Sequence, residues 1–164
     1  DYFSLYVGNH ILGGGGMVSR LFEEVREKRG LSYSAYSYFS PMLFKGPFTA
    51  GLQTKTDQVD EAISVLLENI KNYIEQGPTE EELIAAKKNI TGGDPLRIDS
   101  NSKILNYVVV IGFYKLPLDY LETFNDNVEA VTIESIKDAF KRRLSPDKLV
   151  MVKVGAPSNK KSED

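Results

Sequence analysis

Apolar side chains recur every three or four residues over most of this chain, and alternate with polar ones in three short stretches. The first segment, from Asp1 to about Leu12, is apolar nearly all round (Tyr2, Phe3, Leu5, Tyr6, Val7, Ile11) and predicts a buried helix. Gly13, Gly14, Gly15 and Gly16 are expected to end it, since each glycine costs about 1 kcal/mol inside a helix. A second helix follows from about Val18 to Arg29. Val18, Leu21, Phe22 and Val25 share its apolar face, which Arg29 continues at the last turn, while Glu23, Glu24 and Glu27 point away and Arg26 sits at the edge. Gly30 has the character of the residue just past a helix end.

Alternation takes over from Ser32 to Ser40, with Tyr33, Ala35, Ser37 and Phe39 on one side and Tyr36 and Tyr38 on the other. Gly46 to Thr54 predicts a second strand, and the short link makes it an antiparallel neighbour. Asp57 to Gln76 is the strongest helix, with Val59, Ala62, Ile63, Leu66, Leu67, Ile70, Tyr73 and Ile74 in one stripe. Gly77 and Pro78 stop it, and Thr79 with Glu82 forms a capping box for the next helix, which runs to about Thr91. Residues 92–95 break the chain again. Three helices follow, over 99–114, 117–128 and 132–144, then a last strand from Lys148 to Gly155. The Val-Val-Val-Ile run at 108–111 also fits a strand. Residues 157–164 read as a polar tail beyond a domain spanning 1–156.

This order predicts an α+β domain: a mainly antiparallel sheet with helices packed on one face. Three strands make a thin sheet for so many helices. One or two more strands on the N-terminal side would complete it, so the chain reads as a truncated domain.

At 164 residues, 41% hydrophobic and 26% charged, the composition is that of one globular domain. A net charge of −3 lacks the basic excess that nucleic-acid binding calls for. No apolar run is long enough to span a bilayer. There are no cysteines, which removes disulfides, thiolate metal sites and a cysteine nucleophile, and fits both the cytosol and an oxidising space.

Three features could carry chemistry. The glycine run lacks the lysine and the preceding strand of a phosphate-binding loop, which leaves a flexible connector or a mobile clamp for an extended peptide. His10 is the single histidine, too few for a two-histidine zinc motif. Arg26 and Tyr33 stand seven residues apart, with Gly30 turning the chain back between them. They suit either a solvent ion pair to Glu23 or Glu27 beside a strand aromatic, or a pair of donors aimed at a carbonyl or oxyanion.

The block Leu12-Gly-Gly-Gly, then Ser19-Arg-Leu-Phe-Glu-Glu-Val-Arg-Glu-Lys-Arg-Gly-Leu-Ser-Tyr33, resembles the M16 family of zinc metallopeptidases, the group that includes pitrilysin, insulin-degrading enzyme and mitochondrial processing peptidase. Gly46-Pro-Phe, Asp60-Glu-Ala and Thr79-Glu-Glu-Glu-Leu-Ile-Ala-Ala-Lys support it. The resemblance implies paired domains of one fold, a catalytic one carrying His-x-x-Glu-His and a second facing it without zinc ligands. This chain is similar to the second kind: where the motif would fall it has Tyr6-Val-Gly-Asn9-His10. The resemblance therefore implies no cofactor in this chain, zinc in a partner domain of the same or another chain, and a peptide substrate. It implies that Arg26 and Tyr33 reach the partner's zinc site, and that Gly13, Gly14, Gly15 and Gly16 take part in substrate recognition. A scaffold paralogue without peptidase activity and a free-standing peptide-binding module are the competing readings.

Overall fold

The computed structural model describes residues 1–94 and 98–155. Helix α1 (Tyr2–Asn9) runs on as a wider π-helical turn over His10–Gly14, so the first two glycines of the run extend the helix rather than end it. Its inward side chains, Val7, Ile11 and Leu12, are buried, as the apolar pattern requires. A 3₁₀ turn over Gly16–Val18 leads to Ser19 and the short helix α2 (Arg20–Phe22), which widens into a second π turn over Glu23–Glu27.

That helical segment ends as the sequence predicts. Gly30 has φ of 61°. Its N–H donates to the Arg26 carbonyl at 2.8 Å, and the Leu31 N–H donates to the Val25 carbonyl at 2.9 Å. The first is the bond of an αL cap, whose positive φ glycine accommodates without a Cβ clash.

The chain then enters β1 (Ser34–Phe39), which pairs antiparallel with β2 (Phe48–Gln53), Tyr36 opposite Gly51. Ala35 and Ser37 are buried against the helices, while Tyr36 and Tyr38 stack on the other face with centroids 6.1 Å apart. Tyr33 departs from the predicted alternation: it precedes the strand and is 81% exposed.

Helix α3 (Val59–Gln76) is amphipathic as expected, with Ala62, Val65, Leu66, Ile70, Tyr73 and Ile74 buried; Leu67 is turned outward and Val65 takes an inward place instead. Helix α4 (Glu80–Gly92) starts at the predicted capping box, the Thr79 hydroxyl accepting from the Glu82 N–H and the Glu82 carboxylate accepting from the Thr79 N–H. Helices α5 (Asn101–Tyr114), α6 (Tyr120–Glu129) and α7 (Ile133–Arg143) follow, so the Val-Val-Val-Ile run is helical. One core joins α1, α2, α3, α4, α6 and α7 with the inner face of the sheet. Tyr73, wholly buried, closes it by donating to the Gly8 carbonyl at 2.8 Å.

The α+β class and the antiparallel sheet hold. The third strand does not: among the described residues the sheet has two strands. Pro146–Lys148 is a 3₁₀ turn, and 149–154 is extended without a ladder, because no strand lies beside it to accept its hydrogen bonds. The predicted tail lies outside the described residues.

Candidate functional site

Arg26 projects from the last turn of the α2 segment, and Gly30 reverses the chain so that Tyr33 returns to it. The Arg26 guanidinium lies over the Phe22 ring at 4.6 Å and over the Tyr33 ring at 4.4 Å. Phe22 is one turn earlier on the same helix, so the stack follows from the i,i+4 spacing. Arg26 approaches the Glu27 carboxylate at 3.8 Å, a loose pair beside a guanidinium held by two rings. The Tyr33 hydroxyl makes no hydrogen bond among the described residues. Two donors are thus fixed at the surface with open hydrogen-bonding directions, a geometry suited to a carbonyl or oxyanion brought by something else. Arg29 was expected on the apolar face; it is exposed and its guanidinium binds the Glu24 carboxylate at 2.6 Å.

The glycine run divides in two. Gly13 is buried, and a Cβ there would stand 2.5 Å from the Ser37 backbone nitrogen. Asn9 secures this approach: its Nδ2 donates to the Ser37 carbonyl at 3.0 Å and its Oδ1 accepts from the Ser37 hydroxyl at 2.8 Å. Gly16, in contrast, is exposed with φ of 63° and open space around it. A cleft of about 680 Å³ lies between α1, the glycine run and the outer edge of β1. Gly13, Gly14, Tyr6, Asn9, Tyr38 and Phe39 are among its walls; Gly15, Gly16, Arg26 and Tyr33 are not. The sequence suggested one cluster of loop, arginine and tyrosine; the fold separates them into two surface regions, the stacked pair and the cleft along β1.

The edge of β1 explains what such a cleft offers. Ser40 N–H donates to the Pro47 carbonyl, so residues 34, 36 and 38 direct their peptide groups at β2. Those of Ala35, Ser37 and Phe39 point outward. Asn9 occupies Ser37; Phe39 is left at the cleft with its N–H and carbonyl on the outer edge.

Zinc does not fit here. Tyr6 has no metal-binding donor of the required kind, Asn9 is committed to Ser37, and the His10 Nε2 is buried. Among the described residues no group of three or more His, Cys, Asp or Glu could hold a metal ion.

Sequence reasoning missed Arg20. Its Nε donates to the Glu82 Oε1, its Nη2 to the Glu82 Oε2 at 2.5 Å and to the Gly77 carbonyl at 3.2 Å, and the guanidinium lies 5.0 Å from the centre of the Tyr73 ring. Burial opposes the Arg20 charge, but the Glu82 hydrogen bonds outweigh it and raise its pKa. Burial likewise works to raise the Glu82 carboxyl; Arg20 and the Thr79 N–H overcome it and hold the group below its ordinary range. Glu82 was legible as a capping residue, but its partner stands 62 positions away and leaves no local signal.

With this geometry in hand, comparison with known proteins is informative. The family model described as peptidase M16 inactive domain matches residues 1–90. The chain is 34% identical over 153 residues to the non-peptidase homolog YmxG of Helicobacter pylori, covering 92% of this chain and 34% of that protein. It is 30% identical over 149 residues to the uncharacterized zinc protease YmxG of Bacillus subtilis, covering 88% of this chain and 35% of that one. The crystal structure of a peptidase M16 inactive domain from Pseudomonas fluorescens superposes with a TM-score of 0.84 at 41% identity, over 90% of this chain and 35% of that one. This chain thus spans about a third of the length of the relatives it matches.

Proposed function

Because the chain belongs to the M16 peptidase family, as its inactive domain, we propose that it forms the substrate-holding half of a two-domain zinc peptidase. The metal belongs to a partner domain, where it supplies the activated water for peptide-bond hydrolysis. This chain supplies Arg26 and Tyr33, which bind the substrate carbonyl or the oxyanion that develops from it. The observation that carries this reading is the stack of Phe22, Arg26 and Tyr33, which presents two donors at the surface with little else to hold. Relatives named zinc proteases support the reaction class. The cleft along β1 supplies a second contact, in which the exposed Gly14 lets the main chain of an extended peptide come close and Phe39 pairs with it.

The test uses the full-length protein together with its zinc-bearing domain. Removing one donor from a developing oxyanion costs about 2.7–4 kcal/mol, so Arg26→Ala and Tyr33→Phe each lower kcat by about 10²–10³. Zinc content stays unchanged, and stability changes by no more than about 1 kcal/mol. Full turnover in both variants would refute the assignment.

The relative named a non-peptidase homolog gives the scaffold reading its own support. The same preparation separates the two. A scaffold shows no cleavage of unfolded test peptides in the wild-type protein; a peptidase shows cleavage that a chelator abolishes.

A further inference from the structure

Helix α5 is strongly apolar and yet stands outside the core. From Ile104 to Tyr114 it carries no charged side chain, and no residue of the helix is buried. Tyr107, Ile111 and Tyr114, spaced i, i+4 and i+7, form its half-buried side, and the Tyr114 hydroxyl donates to the Pro41 carbonyl at 3.0 Å. On the opposite side Leu105, Val108 and Val109 are 61%, 59% and 59% exposed. With Gly112 they repeat at i, i+3, i+4 and i+7, the spacing of a helix face that packs on another helix. Phe113, set edge-on against Tyr114, carries the patch toward Met42, Leu43 and Phe44, each more than half exposed. The apolar side chains of α5 and these three expose on the order of 1,000 Å². That exceeds the roughly 300–600 Å² patch of an ordinary monomer and the ~800 Å² a side that a stable interface buries.

The stripe is complementary to itself. A Cβ on Gly112 would meet nothing within 4 Å. Gly112 is thus a notch in the stripe, two turns from Leu105, its longest side chain. Let a second α5 lie antiparallel about a two-fold axis that passes between Val108 and Val109. Each Leu105 then falls opposite the Gly112 of the other copy, while Val108 and Val109 meet their own counterparts at the axis. Sliding the copies by one turn sets Asn101 or Val109 against the notch and displaces Leu105 from it. The charges agree with the first register. It brings Lys115, at the C-terminal end of one helix, within a turn of Asp99, at the N-terminal end of the other. A two-fold pair needs a patch that fits itself, and this one does.

We infer that α5 is the seam of a homodimer, in which two copies of the full-length protein pack their α5 helices antiparallel, Leu105 of each seated on Gly112 of the other. The glycine sets the spacing: with no Cβ at that point the helices approach to the short end of the ~8–10 Å range of packed helices. The inference goes beyond the peptidase reading and does not depend on it, and the experiment below leaves activity aside.

Sedimentation equilibrium on the full-length protein, with a Gly112→Leu variant, decides it. Leucine at this position meets open space in the single copy and is the better helix former, so the thermal midpoint in dilute solution holds or rises. In the pair it collides with Leu105 of the other copy, and the dissociation constant of the dimer rises at least about a hundredfold. Leu105→Ala combined with Gly112→Leu exchanges knob and notch, and brings the constant back to within about tenfold of wild type. In a background without other cysteines, Val108→Cys forms a disulfide-linked dimer on mild oxidation, through its counterpart across the axis. A wild-type protein that stays monomeric at about 100 μM would overturn the proposal and give the face to another segment of the same polypeptide. A dimer indifferent to Gly112→Leu, or one that the exchange does not restore, would refute the seam. Association through α5 with a separate zinc-bearing chain alone would assign the face to that partner and refute it equally.

Discussion

Gly13→Ala is the substitution that best separates packing from flexibility in the glycine run. The added Cβ would lie 2.5 Å from both the Ser37 nitrogen and its Oγ, and 2.8 Å from the Leu21 Cδ1. Leu21 can move its methyl, but Ser37 cannot yield without moving β1, because Asn9 holds its carbonyl and hydroxyl. Overpacking of this kind costs about 1–3 kcal/mol. Breaking the two Asn9 bonds adds about 0.5–1.5 kcal/mol each. Alanine gains back about 0.5–1 kcal/mol in a helical turn. The net is a loss of about 1–5 kcal/mol, centred near 3 kcal/mol. The chain has no tryptophan, so urea unfolding is followed by far-ultraviolet circular dichroism. At a slope of about 2 kcal/mol per molar, the central value lowers the midpoint by about 1.5 M. Gly16→Ala meets open space and is opposed only by its positive φ, so it costs about 1 kcal/mol. A Gly13→Ala midpoint within about 0.3 M of wild type, or a larger loss for Gly16→Ala, would refute the division of the run.

Further outcomes follow from the same contacts. Glu82→Ala removes both Arg20 bonds and half of the capping box, and lowers stability by about 2–4 kcal/mol; Glu82→Gln, which keeps an acceptor, costs about half as much in the same unfolding assay. Since the Glu82 pKa is depressed in the folded state, its contribution is full above the ordinary carboxylate value and is lost as pH falls through the lower folded value. An acid titration should therefore show a loss of stability that Glu82→Gln largely lacks. Tyr73→Phe deletes the bond to the Gly8 carbonyl and costs about 1–2 kcal/mol by thermal or urea unfolding. Arg26→Ala changes stability by no more than about 1 kcal/mol, the size of an exposed cation–π contact, while lowering turnover as given above.

What could be read from the residues was whatever is local. Helix caps were legible because Thr79 with Glu82 and Gly30 with Leu31 act within three to six positions. The apolar stripe of α3 was legible for the same reason, apart from the exchange of Leu67 for Val65, which depends on where the sheet sits. The glycine run misled because four glycines carry no mark of which one is packed; that depends on Ser37, more than twenty positions on. Tyr33 was placed within the strand, on the side of Ala35, Ser37 and Phe39, because alternation was extended one residue too far. Its freedom from the strand is what lets it cover Arg26. The third strand was legible as a strand-like pattern at 149–154, but a ladder needs a neighbour, and none lies beside it among the described residues.

The contrast between Arg20 and Arg26 bears on function. Both begin as ordinary helix arginines in one segment. Arg20 is two-thirds or more buried at its side chain and bonded to a carboxylate, so its loss is felt in folding. Arg26 is held by rings and by a loose carboxylate at 3.8 Å. A flexible side chain loses up to about 2 kcal/mol of rotamer entropy when fixed, and an exposed ring contact returns about 0.5–1 kcal/mol. The stack is therefore a poor device for stability. It is a good one for keeping a guanidinium in position before its ligand arrives, which reduces the ordering cost at the moment of binding. If Phe22→Leu, which removes one ring but keeps the core filled, raises KM or lowers kcat while the unfolding midpoint moves little, Phe22 is a positioning residue for Arg26. Equal losses of activity and stability would mean that Phe22 serves only the core.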